Sequence, residues 1–289
     1  MDGIMLINKE KGYTSRDVVN VISRHLKIKK VGHTGTLDPM ATGVLVLCIG
    51  KATKLVDVIT SHDKEYIAKI ILGIETDTLD VTGNILKKEK AHVVEDEVVK
   101  VLNSMLGKYE QEVPIYSAVK INGKKLYEYA RNNESVKLPK REVDIKSIDL
   151  IGEIEYTDNQ TIFSFRCLVS KGTYIRSLIR DIAYKLNTVG VMAELTRTKQ
   201  DIIRIEDCAT LDEVVNDKFH LIDIRSCIPN IKQVKVNEDL EKDILNGKLI
   251  NNVYETDMVM FINAQNSVLA IYHLYDKDNN LLKPWKMLK

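Results

Sequence analysis

From Pro39 to Gly50 the chain carries no charged side chain, and its second half, Val44 to Ile49, is an unbroken series of valine, leucine, cysteine and isoleucine. The run is too short to cross a membrane as a helix, which takes about 20 apolar residues. With apolar residues at successive positions it has no polar face, so a strand built from it has to be covered on both sides. The run is therefore read as a buried central strand. No internal repeat is visible.

Periodicity supplies the neighbours. Gly3 to Lys9, Glu65 to Leu72 and Arg141 to Ile151 read as strands. Thr161 to Val169 alternates, with Phe163, Phe165, Cys167 and Val169 on one face and Ser164, Arg166 and Leu168 on the other. Helices are expected over Ser15 to Lys27, where Thr14 and Asp17 have capping-box spacing, over Lys51 to Thr60, and over Val93 to Leu106, with Gly107 ending the last of these. The clearest helix runs from Thr173 to Leu186 and places Ile175, Leu178, Ile179, Ile182, Ala183 and Leu186 on one face. On periodicity alone Arg176 is a solvent-facing residue of that helix. Gln111 to Asn122 reads as extended and leads into a short helix, Lys124 to Asn132.

At 289 residues, with roughly 150 per domain, two domains are expected. Beyond Pro229 the texture changes to short extended runs, Gln233 to Val236, Met258 to Ile262 and Val268 to Tyr275, with Asn246-Gly247 and Asn279-Asn280 as turns. This predicts a small β-barrel. The boundary is placed near Ile228 to Lys232, giving domains 1–230 and 231–289.

Apolar residues at 44% and charged residues at 29% exclude a disordered chain. Cys48, Cys167, Cys208 and Cys227 are far apart with no histidine at ligand spacing, so buried reduced thiols are expected and no metal site. No cofactor fingerprint is present. The first residues lack a secretory pattern, which predicts a cytoplasmic location. A net charge of +1 hides an uneven distribution. Residues 1–60 carry nine Lys/Arg against five Asp/Glu, and residues 111–146 eight against five, while the remaining stretches are acidic. Two basic segments in an otherwise acidic chain allow a polyanionic partner.

The segment Val31-Gly32-His33-Thr34-Gly35-Thr36-Leu37-Asp38-Pro39-Met40-Ala41-Thr42-Gly43 sets one carboxylate among glycines and small residues, just ahead of the buried strand. Asp38 there is either a turn former before proline or a functional carboxylate.

The run from Gly32 to Leu45 resembles the signature of the TruB family of tRNA pseudouridine synthases, and further motifs follow in the family's order. Lys9 to Ser15 is similar to its opening motif, with Glu10 where the family has proline. Lys64-Glu65-Tyr66 resembles its K-x-Y motif. Gln111 to Lys120 is similar to its Q-V-P-P-x-Y-S-A-x-K segment, with Glu112-Val113-Pro114 in place of V-P-P. Lys171 to Arg176 resembles K-G-T-Y-I-R, and Ala193 to Thr198 the leucine-bearing motif near the end of the catalytic domain. The tail resembles a PUA domain, a small RNA-binding β-barrel.

The resemblance implies a pseudouridine synthase fold: α/β of the α+β type, with a mixed, largely antiparallel central sheet, an RNA-clamp insertion at about 111–146, and the PUA-like barrel after it. It implies isomerisation of the T-loop uridine at position 55 of tRNA to pseudouridine, with the base flipped into a pocket, by a monomer that needs no cofactor, protein partner or membrane. Asp38 would be the essential carboxylate, as nucleophile or as base at the ribose, with Arg176 keeping it ionised. Tyr66 would stack on the base and accept the C5 proton. Leu195 would pack on the opposite face of the uracil, Tyr174 would hydrogen-bond in the pocket, and His33 would fill the space the base leaves. Lys9 would support the signature loop or contact a phosphate. Two other readings share these features: a non-catalytic tRNA-binding or folding module, and a guide-RNA-dependent pseudouridine synthase.

Overall fold

The computed structural model describes residues 1–60, 63–228 and 231–288. The chain divides into two compact units, Met1–Pro39 with Leu45–Ser61 and Asp207–Lys289, and Met40–Val44 with His62–Glu206. The boundary expected near Ile228 to Lys232 includes Pro229 and Asn230, which lie outside the described residues.

The first unit opens with strand β1 (Gly3–Lys9), helix α1 (Ser15–His25), strand β2 (Val31–His33) and strand β3 (Thr42–Ile49), whose residues up to Val44 belong to the second unit, followed by a 3-10 turn and helix α2 (Val56–Thr60). Thr14 and Asp17 form the expected capping box, each side chain meeting the other's backbone N–H. Residues 44–49 of β3 have no exposed surface, as their unbroken apolar run requires. β1 and β2 flank β3, with His33 opposite Leu47.

The second unit contains β4 (Lys64–Leu72), a hairpin of β5 (Ile74–Thr76) and β6 (Ile85–Lys88), helix α3 (Glu95–Asn103), β7 (Gly107–Glu112), a small hairpin of β8 (Lys120–Ile121) and β9 (Lys124–Lys125), and helix α4 (Leu126–Arg131). β10 (Lys140–Tyr156), β11 (Thr161–Val169), helix α5 (Ile175–Lys185), β12 (Gly190–Gln200) and β13 (Ile203–Arg204) complete it. The strands line up in the order β12-β4-β11-β10-β7, all antiparallel, while the first residues of β3 run parallel to β12. The sheet is therefore mixed and largely antiparallel, as expected. Helix α3 ends at Asn103 with Ser104 as its cap, so Gly107 is not its terminator: with φ of +91° it opens β7.

The chain then returns to the first unit with helix α6 (Leu211–Val215), β14 (Lys232–Lys235), helix α7 (Glu238–Leu245), β15 (Ile250–Asn251), β16 (Met258–Ile262), β17 (Val268–Tyr275) and β18 (Asp278–Met287). The five strands form a PUA-like sheet in the order β14-β16-β17-β18-β15 around Ile244, Phe261, Tyr272 and Leu282. The turn expected at Asn279-Asn280 falls instead at Asp276-Lys277, while Asn246-Gly247 is a turn as expected. It is the C-terminus of α7, with Gly247 at φ +70°. Cys48 and Cys167 are buried, whereas Cys208 is half-buried, against the expectation for it; the side chain of Cys227 lies outside the description. No helix among the described residues is long and apolar enough to cross a membrane.

Candidate active site

The residues singled out in the sequence fall into two groups: Lys9, His33 and Asp38 in the first unit, and Tyr66, Tyr174, Arg176 and Leu195 in the second.

Asp38 is half-buried in the irregular segment between β2 and β3, and both of its neighbours are tied down. The Leu37 N–H donates to Ser15 Oγ at 2.8 Å, and the same hydroxyl donates to the Leu37 carbonyl at 3.2 Å. On the other side the Pro39 carbonyl accepts from the Gly12 N–H at 2.8 Å and from Lys9 Nζ at 3.4 Å. Lys9 Nζ also donates to the carbonyls of Glu10 at 2.9 Å and Tyr13 at 2.7 Å. Lys9 has no exposed surface, and a buried ammonium is tolerated only where acceptors replace water. His33 is half-buried on β2.

In the second unit Tyr66 and Ala68 share one face of β4. Across the ladder Arg197 stands opposite Tyr66 and Leu195 opposite Ala68, so Tyr66 and Leu195 are diagonal neighbours on that face. Each is 7% exposed. Cys167 and Phe165 extend the face onto β11, and burial pushes the Cys167 thiol well above its usual range. Arg197 is buried and donates from Nε to the Val44 carbonyl at 2.6 Å. Here β3 comes so close to β12 that a Cβ on Gly43 would stand 2.2 Å from the Arg197 carbonyl oxygen, and Gly43 itself has φ of +99°. Only glycine meets both conditions. Lys64, on the same face as Tyr66, is also buried. Burial first, then the positive charges of Arg197 and Lys171, bring its pKa down to about 8, with Asp63 opposing them.

Arg176 lies in the first turn of α5 and is 6% exposed, which overturns the solvent-facing reading taken from periodicity. Helical periodicity identifies the stripe that faces the core; it is silent about loops folded over the rest of the helix. Two such segments cover Arg176 and supply acceptors: Nη1 donates to the Thr78 carbonyl at 3.1 Å and Nη2 to the Tyr116 carbonyl at 2.9 Å. Tyr174 is the N-cap residue of α5, half-buried, and its ring lies 5.7 Å from the Arg141 guanidinium.

The basic stretch at 111–146 brings cations onto aromatic faces. Lys124 Nζ sits 4.6 Å from the Tyr129 ring centroid, and Lys125 Nζ and the Arg131 guanidinium lie 5.3 and 5.2 Å from that of Tyr127. Among the described residues no group of three or more His, Cys, Asp or Glu is placed to hold a metal ion.

Ser15, Gln111 and Arg197 fall within stretches that resemble family motifs but were assigned no role there, and nothing local marks Gln111 in the polar strand β7 as a residue with no exposed surface.

The family described as TruB family pseudouridylate synthase (N terminal domain) matches residues 23–175. Over 301 aligned residues, 99% of either chain, the sequence is 40% identical to a tRNA pseudouridine synthase B of Staphylococcus aureus strain MSSA476, and 39% identical to that of strain MW2 over the same shares. Among solved structures, a chain of a Cbf5-Nop10-Gar1 complex has the same fold, with a TM-score of 0.72 at 23% identity over 99% of this chain and 85% of that one.

Proposed function

The chain belongs to the TruB family of pseudouridylate synthases, and from that membership we propose that it isomerises uridine in tRNA to pseudouridine, at the T-loop uridine of position 55, in the cytoplasm and as a monomer. The bond from N1 to C1′ of the ribose breaks, the uracil turns, and C5 bonds to C1′. The proton that C5 loses is balanced by one gained at N1, so no atom enters or leaves and no cofactor is called for. The base is flipped out of its loop to react, at a cost of a few kcal/mol that stacking and backbone contacts offset.

Asp38 is the essential carboxylate, acting at the ribose. What supports it is the anchoring of Leu37 and Pro39, which fixes the backbone on either side of this one side chain. Arg176 supplies the guanidinium that favours the ionised carboxylate. Tyr66 stacks on the flipped base and takes the C5 proton, and Leu195, its diagonal neighbour, packs on the uracil. Tyr174 hydrogen-bonds in the pocket, His33 fills the space left in the T loop, and Lys9 holds the loop of Asp38. Residues 111–146 grip the T-stem-loop through phosphate contacts and aromatic surface, and the C-terminal PUA-like domain extends the RNA-binding surface.

The observation that carries the reading is 40% identity along 99% of the chain to a tRNA pseudouridine synthase B. The test is modification of an unmodified tRNA transcript with no added cofactor, with wild type and Asp38→Asn side by side and pseudouridine mapped by base. Pseudouridine at the T-loop uridine with wild type alone is expected. Binding without modification by wild type would turn the reading toward a non-catalytic tRNA-folding protein or a guide-dependent enzyme.

A further inference from the structure

We propose that Gln111 is a positioning residue for Arg176, holding the first turn of α5 against the chain that leads into the clamp. The proposal rests on the catalytic reading of Arg176 given above.

Gln111 has no exposed surface, so both ends of its amide need partners inside the protein. Its Oε1 accepts the Tyr174 N–H at 2.8 Å, and its Nε2 donates to Tyr109 Oη at 2.7 Å. The first of these bonds matters for α5. A helix N-terminus leaves its leading N–H groups without intrahelical acceptors, and the N-cap residue here is Tyr174, whose side chain makes no capping bond. Gln111 meets the N–H of that residue, two positions before Arg176.

The second bond anchors Gln111. Tyr109 Oη donates onward to Asp181 Oδ2 at 3.3 Å. Burial and the Asp181 charge raise the phenol's pKa, so it stays protonated and able to donate. Asp181 is in turn held by Arg180, from Nε at 3.0 Å and Nη2 at 2.9 Å, and Arg180 Nη1 reaches Glu112 Oε1 at 2.9 Å. Ser177 Oγ donates to the Glu112 carbonyl at 2.8 Å, and Arg176 Nη2 to that of Tyr116.

Five residues of α5 and its cap thus bond to residues 109–116, the stretch that runs from β7 into the basic insertion. Replacing Gln111 by a side chain without an amide frees the Tyr174 N–H and lets the first turn of α5 shift. Arg176 then loses alignment while the surfaces that bind RNA stay in place. Misplacement by about 1 Å is enough to cost on the order of 100-fold in rate.

The test is steady-state and single-turnover pseudouridine formation on tRNA by wild type, Gln111→Met, Val98→Ala and Arg176→Lys, with Tm measured for each. Val98 is buried in α3 of the same unit and reports what a comparable loss of Tm does by itself. Gln111→Met is expected to lower kcat at least tenfold with KM within threefold, while Val98→Ala keeps kcat within twofold. A kcat within twofold for Gln111→Met, or an equal fall in kcat for Val98→Ala, overturns the proposal. An Arg176→Lys variant with wild-type kcat would overturn it through the role of Arg176. A wild type that makes no pseudouridine would instead remove the functional reading, and the proposal with it.

Discussion

Ser15 Oγ holds the Leu37 peptide from both sides, accepting its N–H at 2.8 Å and donating to its carbonyl at 3.2 Å, one residue ahead of Asp38. A single hydroxyl on the first turn of α1 thereby fixes the backbone from which the proposed catalytic carboxylate springs. Ser15→Ala leaves a buried N–H and a buried carbonyl without partners, a loss of about 1–3 kcal/mol. Activity is expected to fall tenfold or more while tRNA affinity stays within threefold. Urea unfolding and kcat measured together check this, and an unchanged kcat would show that the loop keeps its shape without Ser15.

Gly43→Ala meets two obstacles, a backbone at φ +99° and the Arg197 carbonyl oxygen 2.2 Å from the new methyl group. Positive φ alone costs a β-carbon-bearing residue about 1–3 kcal/mol, and displacing β12 adds to it. The variant is expected to lose at least about 3 kcal/mol in urea unfolding, or to fail to fold. A loss below about 1 kcal/mol would mean that the two strands part easily.

Lys64 makes stability depend on pH in an unusual direction. Its pKa is about 8 in the folded chain, against 10.5 as the ordinary value. Below pH 8 the folded state carries the full penalty of a buried ammonium. Between about 8 and 10.5 the unfolded chain binds more protons than the folded one, so this group adds stability as pH rises, by roughly 3 kcal/mol at most. Wild type is therefore expected to gain on Lys64→Met across that window in unfolding experiments. A constant difference between the two proteins would refute the depressed pKa.

The clamp segment separates charge from stacking. Removing the cations with Lys124→Ala, Lys125→Ala and Arg131→Ala together is expected to weaken tRNA binding and flatten its salt dependence, lowering the slope of log K against log salt by about 2. Tyr127→Ala, which removes a ring and no charge, is expected to weaken binding with the slope unchanged. Filter binding at several salt concentrations reads both, and equal slopes for all the variants would place the phosphate contacts elsewhere.

Much of the fold was legible where one local rule governs a whole element. β11 is found over Thr161–Val169 as its alternation predicts, and the Thr14–Asp17 capping box opens α1. β12 was missed because its ladder to β4 shifts register at Met192/Glu194 and again at Arg197/Lys199, and such irregularities erase the two-residue period. Helix α7 was hidden by Asn246-Gly247, a dipeptide that serves equally well to end a helix. At the candidate site, the family motifs single out Asp38, Tyr66 and Arg176, whereas their supports are long-range. Ser15 acts on a residue 22 positions away and Gln111 on one 63 positions away, and no window on the sequence contains both ends.

The place of β12 between β3 and β4 has a consequence for how the chain is made. During synthesis β4 leaves the ribosome more than a hundred residues before β12, so the edge of β4 that β12 covers waits open. At a synthesis rate of about 5–20 residues per second that interval lasts several seconds or more. Exposed strand edges pair readily with other chains, which makes this stretch of translation a period when the nascent protein is open to aggregation.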